Sequence, residues 1–442
     1  MRLSPAAFFA LYAGLAIAPL LIALCTGLPA RPWRDEIAGG LGIVALAILI
    51  LEFALSGRFR VVSRRVGLDV TMRAHQMLAR IAALFIIVHP FFYGTPLLPY
   101  PRPDDPTGLL SLGLSAPSLI SGIAAWVLSL ALIVTAIFRD KLSATWEVWR
   151  RAHGVVALTV VALAVHHAVD AGRYSGSTAL GWVWLAGLGA AGASLFHVYV
   201  FRPFARRRRP WRVTVVREAA ERIWFMTLAP DGAHRLDYRA GQFVWLDIGH
   251  GPFSLAENPF SLASAPSRGP EIEFVVKELG DFTNDIGRTP IGARAWIDGP
   301  HGNLTIDGRN GPGVALIAGG VGIAPMLGIL REMFARGDRR KVILVYANLT
   351  RSQIVAAEEL DALAAALDLR VVHVLAEPPP EWTGRCGRPD ATLLREILGF
   401  AEARAWTYLL CGPPGMLSSA QAALIGLGVP TRNVVAERFV YN

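Results

Sequence analysis

Six stretches of about 20 mostly apolar residues dominate the first half of the chain, at about 6–27, 38–56, 74–94, 118–138, 152–170 and 179–201. Each is long enough to cross the ~30 Å hydrocarbon core of a bilayer as a helix. From Trp211 the pattern changes. Short runs at 211–217, 222–229 and 242–248 alternate apolar with polar residues, and turn punctuation such as Gly299-Pro300-His301-Gly302 follows. This reads as a compact β domain. From about residue 313 the order becomes strand, Gly-rich turn, helix, repeated. Val314–Ala318, Val342–Tyr346, Val371–Leu375 and Thr407–Cys411 are the apolar strands, separated by helical stretches such as 352–367. That alternation predicts a parallel sheet with ligand sites at the strand C-terminal ends. The fold class is a membrane α-helical bundle of six transmembrane helices (1–203), a β-barrel domain (204–310) and an α/β parallel-sheet domain (311–442).

Composition agrees. The 442 residues are 53% hydrophobic and 17% charged, below the ~25% charge of ordinary soluble chains. Mean hydropathy is +0.42. These values exclude a disordered chain. A formal net charge of +9 invites a nucleic-acid partner, and its location argues against one. Residues 1–201 hold 15 Lys/Arg against 9 Asp/Glu, 202–209 add five Arg, and 210–442 hold 23 basic against 25 acidic. The excess lies in the membrane half and the linker after it. Arg58, Arg60, Arg64, Arg65 and Arg73 fall in one loop, Arg139, Lys141, Arg150 and Arg151 in a second, and Arg202 with Arg206 to Arg209 in a third segment. The alternate loops are poor in Lys and Arg. The positive-inside rule puts all three basic segments, and both termini, in the cytoplasm. Leu28-Pro29-Ala30 loosely resembles a signal-peptide cleavage site, but the apolar run before it is long for that purpose. Cys25, Cys386 and Cys411 are too scattered for a disulfide framework.

Six of the ten histidines lie in the membrane half: His75, His89, His153, His166, His167 and His197. Such residues at membrane depth are costly and mark function. His75 and His89 are 14 apart on the third helix, which separates them by ~21 Å along the axis and keeps them within ~40° of one face. The fifth helix repeats the arrangement, His153 being followed by His166 and His167. Both helices run from inside to outside, so His75 shares the inner level with His153, and His89 the outer level with His166 or His167. Two imidazoles facing each other at one depth suit axial ligation of a haem iron. Two such levels make an electron wire across the bilayer. A straight helix favours His167, since 14 residues return to the same face. His197 has no matched partner and reads as an ordinary buried histidine.

Paired histidines on helices three and five, followed by this soluble half, resemble the ferric reductase / NADPH oxidase superfamily over nearly the whole chain. The family's spacing of 13 on helix five selects His166, so the resemblance implies two b-type haems on His75, His89, His153 and His166, with His167 as the alternative. Glu257-Asn258-Pro259-Phe260-Ser261 resembles the flavin strand of ferredoxin–NADP reductase-like domains. That implies FAD, with Phe260 beside it and Ser261 near flavin N5. Asn258 stands where the family commonly has His, and an amide brings no charge to the phosphates. In Lys277-Glu278-Leu279-Gly280-Asp281-Phe282-Thr283 a strand ends and a short helix is expected around 281–283. Gly280 and Thr283 are assigned to the flavin pyrophosphate. His301 occupies an aromatic position of a structural turn.

Gly319-Gly320-Val321-Gly322-Ile323-Ala324-Pro325 follows a strand and opens a helix, and glycines there let backbone approach a pyrophosphate. The run matches the family's Gly-Gly-x-Gly-x-x-Pro, which assigns Gly319, Gly320, Gly322 and Pro325 to NADPH or NADH. Cys411-Gly412-Pro413 ends a later strand and, by the resemblance, lies near the nicotinamide; Cys411 otherwise reads as a small buried hydrophobe. The tail Glu437-Arg438-Phe439-Val440-Tyr441-Asn442 resembles the family's terminal Glu-x-Phe, with Phe439, or Tyr441 in its place, covering the flavin. Arg351 follows a strand where an adenosine ribose is expected and favours NADPH through a 2′-phosphate. Ser261, Cys411 and Phe439 are the residues expected at the reacting centre.

The resemblance implies electron transfer from cytoplasmic NAD(P)H through FAD and two haems to an acceptor on the outer face. Oxygen giving superoxide, a ferric chelate and an extracytoplasmic protein are the acceptors weighed. A transporter with a regulatory nucleotide-binding domain is the competing class. So is a membrane-anchored flavin reductase without haem. No calcium-loop motif or regulatory domain stands out, so constitutive activity is expected, with the lipid bilayer and a small acceptor as partners and no nucleic acid or regulatory subunit. Arg- and Ala-rich composition points to a bacterial inner membrane.

Overall fold

The computed structural model describes residues 5–56, 59, 67–99, 109 and 112–437. It divides into two compact units, Met1–Arg202 and Pro203–Asn442. Arg58, Arg60, Arg64 and Arg65 of the first basic loop, and Phe439 and Tyr441 of the tail, lie outside the described residues.

The first unit holds α1 (Pro5–Leu24), α2 (Trp33–Ser56), α3 (Leu68–Phe92), α4 (Ala116–Ile137), α5 (Trp146–Ala171) and α6 (Thr178–Phe196). Each overlaps one of the six expected stretches, and α2 and α5 contain theirs whole. All six are long and apolar enough to cross a membrane. Their starts follow from local chemistry. Ser115, Thr145 and Ser177 precede α4, α5 and α6, and each hydroxyl accepts the backbone N–H three residues on, satisfying a donor that the helix leaves without a partner. The cap at Thr145 starts α5 six residues before 152, so His153 sits a full two turns into the helix. A π-helical turn, His197–Phe201, follows α6. His197 stacks between Phe59 and Phe201, at 5.5 and 5.3 Å, which accounts for it as a packed residue.

The second unit holds two six-stranded sheets. β1 (Trp211–Ala220), β2 (Ile223–Pro230), β3 (Phe243–Ile248), β4 (Asn258–Ser261), β5 (Ile272–Lys277) and β6 (Arg294–His301) pair in the order β4-β3-β6-β1-β2-β5, all antiparallel. A bridge between Leu262 and Phe274 joins the end of β4 to β5 and closes the sheet on itself. Closure removes the exposed edges that an open sheet would leave. Alternate inward residues such as Met226, Leu228, Leu246 and Phe274 fill the interior.

The other sheet is parallel throughout. β7 (Gly313–Gly319), β8 (Lys341–Asn348), β9 (Leu369–Leu375), β10 (Arg385–Cys386), β11 (Thr407–Cys411) and β12 (Val434–Glu437) take the order β10-β9-β8-β7-β11-β12. Helices α7 (Ile323–Arg336), α8 (Ala357–Ala366), α9 (Ala391–Leu398) and α10 (Pro414–Gly426) connect them. β7 is buried at every position, as a strand covered on both faces must be. The chain leaves β7 toward β8 on one side and returns as β11 on the other. That reversal is a topological switch point, where open α/β sheets bind ligands.

Candidate functional site

Four of the six histidines of the first unit fall into two groups. His75 and His153 lie close enough to interact electrostatically, and so do His89 and His167. Each group joins one residue of α3 to one of α5.

The second group borders a cavity of about 1280 Å³, above the roughly 300–1,000 Å³ of ordinary ligand pockets. Apolar side chains including Leu46, Leu49, Val160 and Ala164 line its depth, with His89 and His167 on its wall. His89 Nδ1 lies 3.1 Å from the Ile86 carbonyl oxygen. In an uninterrupted helix that carbonyl would accept the N–H of residue 90, but Pro90 has none. The proline frees an acceptor, and the imidazole takes it. His167 Nδ1 lies 3.0 Å from the Ser118 carbonyl oxygen on α4. With Nδ1–H donated in both rings, the lone pair of each neutral imidazole resides on Nε2. Gly122 makes room for the second ring, since a Cβ there would stand 2.6 Å from His167 Nδ1.

His166 is placed differently. Its Nδ1 bonds Ser121 Oγ at 2.9 Å, and the ring is not part of the cavity wall. The residue selected from the family's spacing of 13 therefore faces α4, and its neighbour faces the cavity. Fourteen residues on a regular helix return to one face, and α5 is unbroken from Trp146 to Ala171.

At the first level His153 packs on Trp149, ring centroids 4.8 Å apart. Its Nδ1 is buried without a hydrogen-bond partner among the described residues. His75 Nδ1 hydrogen-bonds the carboxylate of Glu52 on α2, and Tyr12 of α1 donates to the other oxygen of that carboxylate at 2.7 Å. Sequence reasoning missed Glu52. The available signal was a lone acid inside an apolar run.

In the second unit the expected flavin strand is β4, hydrogen-bonded along β3 with Ser261 opposite Phe243 and Asn258 opposite Leu246. All four residues of β4, Pro259 included, are half-buried, beside a strand buried along nearly its whole length. β4 thus offers an accessible edge of the barrel. Phe260 meets Phe282 at 6.0 Å, which brings the 277–283 segment against this strand. That segment is a run of turns rather than the short helix expected at 281–283. The amides of Leu279 and Gly280 donate to Thr283 Oγ1 at 2.9 and 3.2 Å, so the threonine hydroxyl closes the turn itself. Glu257, just before β4, is held by Arg206 at 2.9 Å, one of the basic linker residues.

At the switch point, Gly319–Gly322 and Cys411–Pro413 lie against each other. A Cβ on Gly322 would stand 2.2 Å from the Cys411 carbonyl oxygen, so only glycine permits this approach. Gly320 has φ +53° and open space around it. α7 begins at Gly322 with no side-chain cap, leaving first-turn amides for an anion. Pro325, in that first turn, is buried. The Cys411 side chain is buried in the sheet core rather than presented at the surface. Burial pushes its thiol up, and the nearby Glu437 carboxylate pushes it further. Arg351 is exposed on the turn after β8. One feature escaped the sequence reading. Arg331 of α7 bonds Glu273 of β5 at 2.6 Å, Glu359 of α8 at 2.6 Å and the Ala263 carbonyl at 2.8 Å, tying the barrel to the parallel sheet. Burial opposes its charge, but the Glu359 and Glu273 carboxylates outweigh that and hold it above its ordinary value.

Comparison with known proteins defines the class. Residues 41–164 match the ferric reductase like transmembrane component family, and residues 316–422 match the oxidoreductase NAD-binding domain family. The chain thus carries one segment similar to the ferric reductase like transmembrane component and one similar to oxidoreductase NAD-binding domains, a combination consistent with the ferric reductase / NADPH oxidase superfamily. Among curated relatives, NADH-cytochrome b5 reductase 1 of Laccaria bicolor is 30% identical over 184 residues, 40% of this chain and 59% of that protein. The same reductase of Eremothecium gossypii is 32% identical over 38% of this chain and 60% of its own length. The chain thus spans about three fifths of these relatives. Among solved structures, the Amycolatopsis cytochrome P450 reductase GcoB is 27% identical, with a TM-score of 0.47 over 52% of this chain and 69% of that one. A flavohemoglobin from Malassezia yamatoensis with bound FAD and heme is 18% identical, with a TM-score of 0.49 over 83% of this chain and 98% of that one.

Proposed function

We propose that the protein carries electrons from NAD(P)H through FAD and two b-type haems to an acceptor at the opposite membrane face. The observation that carries this reading is the pairing of His89 with His167 on one large apolar-walled cavity, each Nδ1 committed to a backbone carbonyl. A pair of half-buried Nε2 lone pairs facing one cavity suits a low-spin haem iron. His75 and His153, the latter with an orphaned buried ring nitrogen, suit the other. Bound FAD supplies the conversion of a two-electron hydride into single electrons, and the haems supply one-electron relay.

The chain's own residues bind and orient. Gly319, Gly320 and Gly322 let backbone approach the nucleotide pyrophosphate, and the uncapped start of α7 favours its charge. Arg351, exposed on the turn after β8, would meet a 2′-phosphate, so NADPH is the donor we favour. Pro259, Phe260 and Ser261 hold the flavin along the β4 edge, with the Gly280 turn at its phosphates. Asp35, whose Oδ1 accepts the Gly94 and Thr95 amides at 2.7 and 3.3 Å, helps form the polar mouth of the cavity with Arg31 and Glu36. Oxygen, giving superoxide, is the acceptor we favour. A ferric chelate or a protein at the outer face is the second reading. The soluble module is cytoplasmic, and the membrane is the bacterial inner membrane.

The test is to feed NADPH to purified protein with FAD and record the haem spectrum. Reduced b-type bands are expected, followed by superoxide-dismutase-sensitive dye reduction under oxygen. A protein without haem would sink the reading in favour of a transporter or a haem-free reductase. Reduced haem that reoxidises only with ferric citrate would move the acceptor to ferric iron.

A further inference from the structure

Resting on the two-haem reading, we propose that Glu52, steadied by Tyr12, is a positioning residue for His75 that makes the His75/His153 site the more reducing of the two. Glu52 lies in α2 with its side chain only 7% exposed, within a span long enough to cross the membrane. An acid at that depth is expensive and calls for a partner. Glu52 has two. Tyr12 of α1 donates its hydroxyl to Oε1 at 2.7 Å, and His75 Nδ1 meets Oε2. An iron ligand on His75 needs its lone pair on Nε2, which leaves the hydrogen on Nδ1. Both neighbours of Glu52 are then donors, and a carboxylate accepts from both without a donor of its own. This fixes the tautomer and turns Nε2 away from α2.

Among the described residues the other three rings have no such partner. His89 and His167 use neutral backbone carbonyls, and His153 Nδ1 has none. A carboxylate on the distal nitrogen of a metal-bound imidazole raises the ligand's basicity more than a carbonyl does. A more basic ligand stabilises ferric over ferrous iron, so that site holds an electron less tightly. The asymmetry gives the wire a direction, from His75/His153 downhill to His89/His167.

The experiment is a redox titration of haem absorbance in the purified full chain, with haem content measured alongside. In Glu52→Gln the amide oxygen still accepts Nδ1–H but carries no charge. We expect two haems per chain, the lower potential raised and the higher unchanged. Tyr12→Phe removes the donor that draws charge from the carboxylate, so the lower potential should fall further. Opposite shifts of one component are what a merely structural role would not produce. Two retained haems with the lower potential unmoved in both variants would overturn the proposal, as would equal shifts in the same direction. If Glu52→Gln does not hold its haem, the sign of the Tyr12→Phe shift decides. A wild-type protein without haem would instead overturn the two-haem reading beneath it.

Discussion

His89 Nδ1 is bonded at 3.1 Å to the carbonyl of Ile86, the acceptor that helix geometry reserves for residue 90, which is proline. The His-Pro pair is therefore a local device for orienting the imidazole inside the helix. Pro90→Ala restores a competing N–H to that carbonyl and lets the ring turn. We expect a haem-to-protein ratio between one and two, with a broadened spectrum for the second-level haem. Unchanged content and line shape would refute the device.

Adjacent histidines should behave differently. His167→Ala is expected to lower the haem-to-protein ratio from two to one, since it removes the ring on the cavity wall. His166→Ala should leave the ratio at two, losing only the bond to Ser121. The reverse result would restore the ligand selected by family spacing and require α5 to rotate on haem binding.

Arg331 stands between two carboxylates and is 13% exposed. Arg331→Met leaves both acids without their cation in a part-buried site. Breaking such a network costs about 3 kcal/mol. A fall of several degrees in the apparent Tm of the soluble module is expected, with haem content unchanged. A shift within 1 °C, on the order of a few tenths of a kcal/mol, would show that the network contributes little.

Cys411 gives a pH prediction with a defined sign. Burial and Glu437 raise its thiol above the ordinary value of 9.0. Below that value both folded and unfolded chains hold the proton. Above it the unfolded thiol ionises and the folded one does not, so stability falls as pH rises past 9, by up to about 1.4 kcal/mol per pH unit. Cys411→Ala should flatten that alkaline decline. In the folded protein iodoacetamide should label the exposed Cys25 and Cys386 and spare Cys411 up to pH 9, and mass spectrometry of the labelled peptides reads this directly.

In the proposed function nucleotide choice is assigned to Arg351. Arg351→Leu should raise the KM for NADPH by about tenfold, the scale of one charge-assisted hydrogen bond, and leave that for NADH within about twofold. Equal effects on both nucleotides would assign the arginine to solvent.

By itself the sequence determined what is local. Six spans were legible because crossing a bilayer demands a length and an apolarity that each segment carries alone. The barrel strands and the βαβ alternation were legible because periodicity is set by near neighbours. The glycines of 319–322 showed through their spacing, although only the structure supplied the reason for Gly322, the carbonyl of Cys411 at the end of another strand. What tertiary structure decided is every choice between near-equivalent neighbours. His166 and His167 differ by 100° of helix rotation, and packing of α5 against α4 selects which one meets the cavity. Thr283 closes its own turn by accepting the Leu279 and Gly280 amides, beside the contact of Phe282 with Phe260. Glu52 acquires a role only when α1 and α3 bring Tyr12 and His75 to it, from 40 and 23 residues away. Composition and period record one residue's solvent preference; which partner satisfies a buried polar atom is set by the other helices.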